Sequence, residues 1–144
     1  MSEGASLALH GLALVAKKHP QRVSAKELAT DLAASESHLA KIFQKLHRAG
    51  FVDSVRGPAG GFFLARASED ISLMDIYQVI DGDYRSSACP LGKTQCLFAD
   101  CIFRGRISEI LAELHDKLAS IHLSDIVSQK EPACITKTGL AKKK

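Results

Sequence analysis

Residues 35–65, SESHLAKIFQKLHRAGFVDSVRGPAGGFFLA, join a helical pattern to a hairpin pattern. The apolar residues of the first half recur at the i, i+3, i+4, i+7 spacing of a helix that packs on one side. They are Leu39, Ile42, Phe43 and Leu46. Gly50 follows as the residue that ends this helix. The stretch therefore predicts one amphipathic helix before the hairpin.

The side of this helix opposite the apolar residues collects cationic and hydrogen-bonding residues without a carboxylate. These are Ser37, His38, Lys41, Gln44, Lys45 and Arg48. Such a face can meet DNA, with Ser37 and His38 near the helix start closer to base edges and the three cations on phosphates. The alternative interpretation is that this face is only solvated and contacts no DNA.

The second half of the stretch predicts a β-hairpin. Short strand-like runs at residues 51–56 and 62–65 flank a glycine-rich connection. Three glycines permit the dihedral angles of a tight turn, and turn geometry is the whole role expected of them: Gly57, Gly60 and Gly61. We interpret the hairpin as a wing whose tip carries Arg56, a residue suited to the minor groove. A wing favours DNA contact over solvation for the polar helix face.

Two further helices are predicted before this stretch. Residues 7–18 form a helical pattern that is apolar on nearly every side and stops before Pro20. Ser24 and Glu27 have the spacing of a capping box, so a short helix starts at Ser24 and stops near Ala33. That helix and the polar-faced one form a helix-turn-helix. The predicted fold class is mainly α with a small β-hairpin wing, a winged helix-turn-helix followed by a long dimerisation helix.

The rest of the chain divides into parts. A capped helix ending at Gly82 closes a DNA-binding domain of residues 1–82. The sequence predicts an irregular cysteine-bearing loop over residues 83–103, the dimerisation helix and its end over residues 104–127, and a disordered basic tail over residues 128–144. The helix, expected over 104–122, has an apolar stripe that no later element is large enough to cover, which favours a dimer over an intramolecular core. The stripe consists of Ile107, Ile110, Leu111, Leu114, Leu118 and Ile121.

Composition narrows the class of protein. The 144 residues, 46% hydrophobic and 24% charged, are typical of a folded globular protein of about one domain. No apolar run reaches the roughly 20 residues of a membrane span and no signal-peptide pattern is present, so a cytoplasmic protein without a membrane partner is expected. The net charge of +3 arises in the tail, where five lysines accompany Glu131. Residues 17–66 nevertheless carry nine Lys and Arg against four carboxylates, a local excess that attracts phosphates.

Three of the four cysteines lie within thirteen residues at the spacing C-x6-C-x4-C. They are Cys89, Cys96 and Cys101, whereas Cys134 stands apart in the tail without an assigned role. In a cytoplasmic chain such a cluster indicates a metal or redox site and not a disulfide framework. An iron–sulfur cluster, of the 2Fe–2S or 4Fe–4S type, is favoured over zinc, because structural zinc sites usually pair cysteines at shorter spacing. The same spacing is compatible with a cofactor-free thiol switch and with inert cysteines.

Sequence motifs in the first half of the chain resemble those of a known family. The motifs are VSAKELA at residues 23–29, AGFV at 49–52 and SVRGPAGGFFLA at 54–65. They are similar to those of the Rrf-two family of winged-helix transcription regulators, whose branches include iron–sulfur regulators, nitric-oxide sensors and regulators of cysteine metabolism. The resemblance covers residues 7–127. It implies a homodimer that binds paired operator half-sites in double-stranded DNA, with a long helix crossing between the subunits.

Cluster-binding members of that family carry three cysteines in the loop before the long helix. The resemblance therefore implies a cluster on Cys89, Cys96 and Cys101. For the fourth ligand this chain departs from the family pattern, with Arg104 where one branch has histidine and Ser6 where another has aspartate from the second subunit. His10, one helical turn beyond Ser6, occupies a position where a redox-sensing branch uses histidine and is the candidate fourth ligand. A hydrogen-bonded core or interface histidine is the plainer interpretation of His10.

These observations predict a DNA-binding transcription regulator, acting as a repressor, that senses redox state, nitric oxide or iron–sulfur status. Loss of the cluster is expected to alter the loop beside the dimer helix and to re-aim the two recognition helices. A cofactor-free thiol-based or partner-controlled regulator is the second hypothesis. A redox enzyme subunit is a remote third, because the sequence offers no nucleophile–base pair or phosphate loop. The protein is predicted not to be an enzyme.

Overall fold

The computed structural model describes residues 1–82 and 98–128 as six α-helices and one antiparallel hairpin. The helices are α1 (Glu3–Lys18), α2 (Ala25–Asp31), α3 (Glu36–Arg48), α4 (Leu73–Asp81), α5 (Arg106–Ala119) and α6 (Leu123–Val127). The hairpin between α3 and α4 consists of β1 (Val52–Val55) and β2 (Gly61–Leu64), and a short 3₁₀ turn, Ser68–Asp70, follows it. None of the helices in the described ranges is long and apolar enough to cross a membrane. The mostly helical fold with a single wing-like hairpin confirms the predicted fold class.

The core lies where α1, α3 and the hairpin meet. Leu12 of α1 and Phe43 of α3 are completely buried in it, together with Leu123 from the far end of the chain. The centroids of the Phe43 ring and of the Phe62 ring on β2 are 4.5 Å apart. Burial of side chains of this size contributes about 2 kcal/mol each, so this packing holds the hairpin against α3.

Local hydrogen bonds start the helices where the sequence predicts. Ser24 Oγ accepts the N–H of Glu27 at 3.1 Å, and Glu27 Oε2 accepts the N–H of Ser24 at 2.8 Å. The same reciprocal pair forms at α4, between Ser72 and Asp75. These capping boxes satisfy N–H groups that the helices themselves leave unpaired.

The N-terminus is attached to the end of α4. The N–H of Ser2 donates to Asp81 Oδ2 at 2.9 Å, and its hydroxyl donates to Asp81 Oδ1. Burial raises the pKa of Asp81, but the hydrogen bonds from Ser2 and Tyr77 outweigh it and hold the pKa below its ordinary value of 3.8. The start of α1 and the point where the cysteine-bearing segment leaves α4 are therefore joined.

The long C-terminal helix is shorter than predicted. It covers Arg106–Ala119 instead of residues 104–122, and a separate helix, α6, follows it. The N–H of Leu73 donates to the carbonyl of Ile121 at 2.9 Å, and the N–H of Leu123 to the carbonyl of Ile71 at 3.0 Å. This antiparallel bridge, which buries Leu123, is the physical reason for the interruption, because a continuous helix would use those backbone groups itself.

The apolar stripe of α5 has two environments. Leu118, near its end, packs against a cluster of Ala5, Met74 and Tyr77 in the same chain. Ile110, near its start, is 55% exposed. Ile107, Leu111, Leu114 and Ile121 are half-buried. Leu118 thus covers α4, whereas Ile110, near the beginning of the stripe, is open to solvent in the described part of the single chain.

Candidate nucleic-acid interface and cysteine site

Helix α3 presents the predicted polar face to solvent. Its start is capped by Ser35, whose Oγ accepts the N–H of His38 at 3.2 Å. The buried side consists of Leu39, Ile42, Phe43 and Leu46. On the opposite side Ser37, Lys41, Gln44, Lys45 and Arg48 are exposed, and His38 is half-buried. The structure therefore brings all six predicted residues to one surface of one helix.

Two residues that the sequence pattern did not single out border this surface. Glu36 is exposed in the first turn of α3, where a carboxylate interacts favourably with the helix dipole. His47 Nε2 lies 3.5 Å from Asp53 Oδ1 on β1. That contact links the last turn of α3 to the hairpin beside it.

The hairpin turn depends on close backbone packing at its glycines. The N–H of Gly60 donates to the carbonyl of Gly57 at 2.9 Å, and a Cβ on Gly60 would lie 2.2 Å from the carbonyl oxygen of Val55. A side chain is therefore excluded at Gly60. Gly61 has a role beyond the turn geometry predicted for it, because a Cβ there would lie 2.8 Å from the Val23 carbonyl. Arg56 is exposed at the end of β1, as expected for the tip of a wing.

A third chain segment adds to the hairpin. Val23 and Phe62 exchange main-chain hydrogen bonds of 3.0 and 2.8 Å. This bridge places Arg22 beside the wing, with its guanidinium carbon 6.0 Å from the centroid of the Phe63 ring. Arg22 is an exposed cation that the sequence analysis did not assign to the interface. In the sequence, the feature that could have pointed to Arg22 is its place as a basic residue directly before apolar Val23 and the helix cap Ser24.

Cys101 lies in a turn just before α5 and is exposed. The nearby backbone N–H groups of Gly105 and Phe103 hold the pKa of the thiol below its ordinary value of 9.0. The N–H of Arg104, which donates to the Cys101 carbonyl at 2.8 Å, contributes less. Arg104 and Gly105 both have positive φ, of 49° and 73°, which wraps the backbone around the sulfur. The arrangement favours a thiolate, the form that binds metal and reacts with oxidants.

The other cysteines, Cys89, Cys96 and Cys134, lie outside the described residues. Within residues 1–82 and 98–128, no three His, Cys, Asp or Glu side chains come together as a metal site. Two of the three predicted cysteine ligands belong to residues 83–97. The structure therefore describes the surroundings of Cys101 and of the candidate fourth ligand.

His10, the candidate fourth ligand, is exposed on α1. Its Nδ1 lies 2.7 Å from the carbonyl oxygen of Ser6. A carbonyl can only accept, so Nδ1 carries the proton in this contact and Nε2 of the neutral ring has a free lone pair. The exposed position disfavours the interpretation of His10 as a core histidine.

Exposed apolar residues surround Cys101. Phe98 is 60% exposed, Ile102 67% and Phe103 43%. Ile110, in the second turn of α5, is also exposed, at 55%.

Comparisons with known proteins agree on one family. Residues 1–129 match the Rrf2 family model, described as an iron-dependent transcriptional regulator, which confirms the resemblance stated from the motifs. The chain is 31% identical over 138 residues to the HTH-type transcriptional regulator IscR of Cereibacter sphaeroides, covering 90% of this chain and 86% of that protein.

Two solved structures are similar. The structure of CymR, the global cysteine regulator of B. subtilis, has a TM-score of 0.72 and 27% identity, and covers 91% of this chain and 98% of that one. The T. potens IscR structure has a TM-score of 0.71 and 25% identity, with coverage of 95% and 92%. These relatives are transcriptional regulators and not enzymes, in agreement with the prediction.

Proposed function

Because the chain belongs to the Rrf2 family of transcriptional regulators, we propose that it binds operator DNA as a homodimer through α3 and the wing, under the control of an iron–sulfur cluster. Transcription regulators of this family bind DNA. The observation that carries the assignment of the surface is the exposed face of α3, which holds three cations and no carboxylate opposite the buried face.

Each residue of the surface has a proposed role. Lys41, Lys45 and Arg48 contact phosphates, because the ammonium of a flexible lysine and the guanidinium of an arginine can reach the phosphate backbone of a duplex. Ser37, His38 and Gln44 lie nearer to base edges in the major groove, where Gln pairs well with adenine. Arg56 at the wing tip enters the minor groove, whose negative potential attracts arginine.

The homodimer forms through the beginning of α5. Ile110, more than half exposed, and Ile107, Leu111 and Leu114 around it make a continuous apolar face. Pairing this face with the same helix of a second copy removes it from water. Leu118, also predicted at the interface, supports it from within the chain, since it packs on α4. Ile121 stays a predicted residue of the interface.

Cys89, Cys96 and Cys101 hold the cluster, with His10 as the fourth ligand. Cys101 fits this role, because its exposed sulfur accepts backbone N–H groups that stabilise the thiolate. His10 fits it as well, because the Ser6 carbonyl orients the ring and leaves Nε2 for iron. A bound cluster would supply a redox-active centre that oxidants and nitric oxide can attack.

The cysteine turn is connected to the DNA surface through α5. The turn of residues 101–105 leads directly into α5, and the segment that follows α5 is hydrogen-bonded to the start of α4. Release of Cys101 from a ligand set would free that turn and change how α5 lies on α4 and on a second subunit. The two α3 helices of the dimer would then be presented to DNA at a different spacing.

A cofactor-free thiol regulator is the second candidate. The lowered pKa of the Cys101 thiol favours it, because an exposed thiolate reacts with oxidants without any metal. In that case oxidation of Cys101, and not loss of a cluster, changes the start of α5.

One experiment tests the cluster and separates the two candidates. Protein purified without oxygen is examined by ultraviolet–visible spectroscopy and assayed for iron and sulfide, beside a Cys96→Ala variant. Visible absorption that disappears in the variant supports the cluster. A colourless protein without iron after anaerobic reconstitution rejects it and leaves the thiol mechanism. DNA binding by the unaltered protein and by the variant is then compared with DNA binding by the oxidised protein.

A further inference from the structure

Arg66 joins the recognition helix to the wing. Its Nη2 donates to the carbonyl of Ala49 at 3.0 Å, and its guanidinium carbon lies 4.9 Å from the centroid of the Phe51 ring. Arg66 follows β2, whereas Ala49 is the residue that ends α3. One side chain therefore contacts the ends of both elements assigned to DNA.

The end of α3 has one carbonyl that depends on this contact. The N–H of Phe51 donates to the carbonyl of Leu46 at 3.0 Å, and the N–H of Gly50 to that of His47 at 2.9 Å. These two bonds, with Gly50 at φ +75°, form a Schellman motif. Arg66 then supplies the donor for Ala49 and places a positive charge at the negative end of the helix dipole.

The contact between Arg66 and Phe51, on the wing side, is also fixed by the surrounding structure. The N–H of Ala65 donates to the carbonyl of Phe51 at 3.0 Å, so Arg66 leaves the hairpin directly beside that ring. Phe51 is only 4% exposed, which makes its ring a fixed platform for the guanidinium. Rotation of the hairpin relative to α3 would separate Arg66 from either Ala49 or Phe51.

We propose that Arg66 is a positioning residue for DNA binding, which fixes the angle between α3 and the wing without contacting DNA itself. The inference rests on the proposed function. A selected operator duplex is contacted by α3 in one groove and by the wing in another, so its binding depends on that angle. Binding to a random duplex rests mainly on phosphate charges and depends on the angle much less.

The test compares two charge-removing variants at the same end of α3, Arg66→Ala and Arg48→Ala. The probes are a duplex of about 30 base pairs that the full-length protein has selected from a random pool, and a random duplex of the same length. Affinities are measured over a range of salt concentrations. Arg66→Ala is expected to weaken binding to the selected duplex about tenfold, to leave the random duplex within about twofold, and to keep the salt dependence unchanged. Arg48→Ala is expected to weaken both and to lower the slope by about two phosphate contacts, one from each subunit of the proposed dimer.

Two results would overturn the proposal. One is an unchanged preference of Arg66→Ala for the selected duplex, and the other is a reduced salt slope, which would mean direct phosphate contact. If Arg66→Ala does not fold, Arg66→Lys is judged by the same criteria, since it keeps a cationic donor for Ala49 and should lose part of the preference. If the unaltered protein enriches no duplex, the proposed function itself fails, which is a separate outcome.

Discussion

Leu123 and Ile71 are joined by a main-chain hydrogen bond of 3.0 Å between two segments that share a sequence pattern. ISLMDI at residues 71–76 and IHLSDI at residues 121–126 both contain I-x-L-x-D-I, and each starts a helix, α4 and α6. In each, the aspartate accepts the N–H of the residue three positions earlier. The two helix starts pair with each other across the bridge, which attaches the end of α5 to the DNA-binding half of the chain.

Replacement of Leu123 tests this attachment. Leu123→Ala removes a completely buried side chain and should lower the free energy of unfolding by about 2–4 kcal/mol, measured by urea denaturation. Ile126→Ala in the same short helix is the control, and because Ile126 is half-buried its effect should be smaller. Equal effects of the two changes would show that α6 is not anchored through Leu123.

The cationic face of α3 predicts a salt-dependent loss of DNA binding. Replacing Lys41 and Lys45 together with alanine should weaken binding to selected and random duplexes alike. Because the dimer carries two copies of each lysine, the slope of log affinity against log salt should fall by about 4. Lys117→Ala, on the exposed side of α5, is the control for the removal of a surface charge. An unchanged slope in the double variant would mean that α3 presents another face to DNA.

The exposed beginning of α5 predicts how the dimer can be broken. Ile110→Asp places a charge in the proposed apolar interface and should convert the dimer to monomer in sedimentation velocity. Affinity for a two-half-site operator should fall accordingly. Glu113→Gln, an exposed position on the same helix, should leave the mass unchanged. A dimer that persists with Ile110→Asp would locate the interface elsewhere.

The capping box of α2 predicts a pH dependence of stability. The backbone N–H of Ser24, its hydroxyl and the ammonium of Lys18 hold the pKa of Glu27 below its ordinary value of 4.5. A lowered pKa stabilises the fold above 4.5, and this contribution disappears as pH falls through the lower value of the folded state. Glu27→Gln should therefore lose less stability on acidification than the unaltered protein, measured as melting temperature against pH. Parallel curves would refute the assignment.

The turn around Cys101 predicts that its thiol ionises at a lower pH than an ordinary cysteine thiol. In a chain with the other three cysteines replaced by alanine, the rate of reaction with iodoacetamide should rise with a midpoint below pH 9.0. The same chain unfolded in urea lacks the N–H groups of Gly105, Phe103 and Arg104 around the sulfur, so its midpoint should be higher. Identical midpoints in the folded and unfolded chain would exclude a structural cause.

Features that depend on neighbouring residues follow from the order of amino acids alone. The capping box of Ser24 and Glu27, the two faces of α3 and the glycine-rich turn of the wing all arise from interactions within a few positions along the chain. The family resemblance rests on the same segments. For these features, spacing is sufficient because the interacting groups are close in sequence whatever the tertiary fold.

Contacts between distant segments, in contrast, become visible in the folded chain. Nothing local indicates that Arg66 closes the end of α3, that Val23 pairs with Phe62, or that Leu123 is bonded to Ile71. Residue 120 lies in a continuous helical pattern, yet the chain leaves the helix there because pairing with the start of α4 buries Leu123. Such contacts depend on the free energy of packing the whole chain, in which burial of a distant side chain can outweigh local helix propensity.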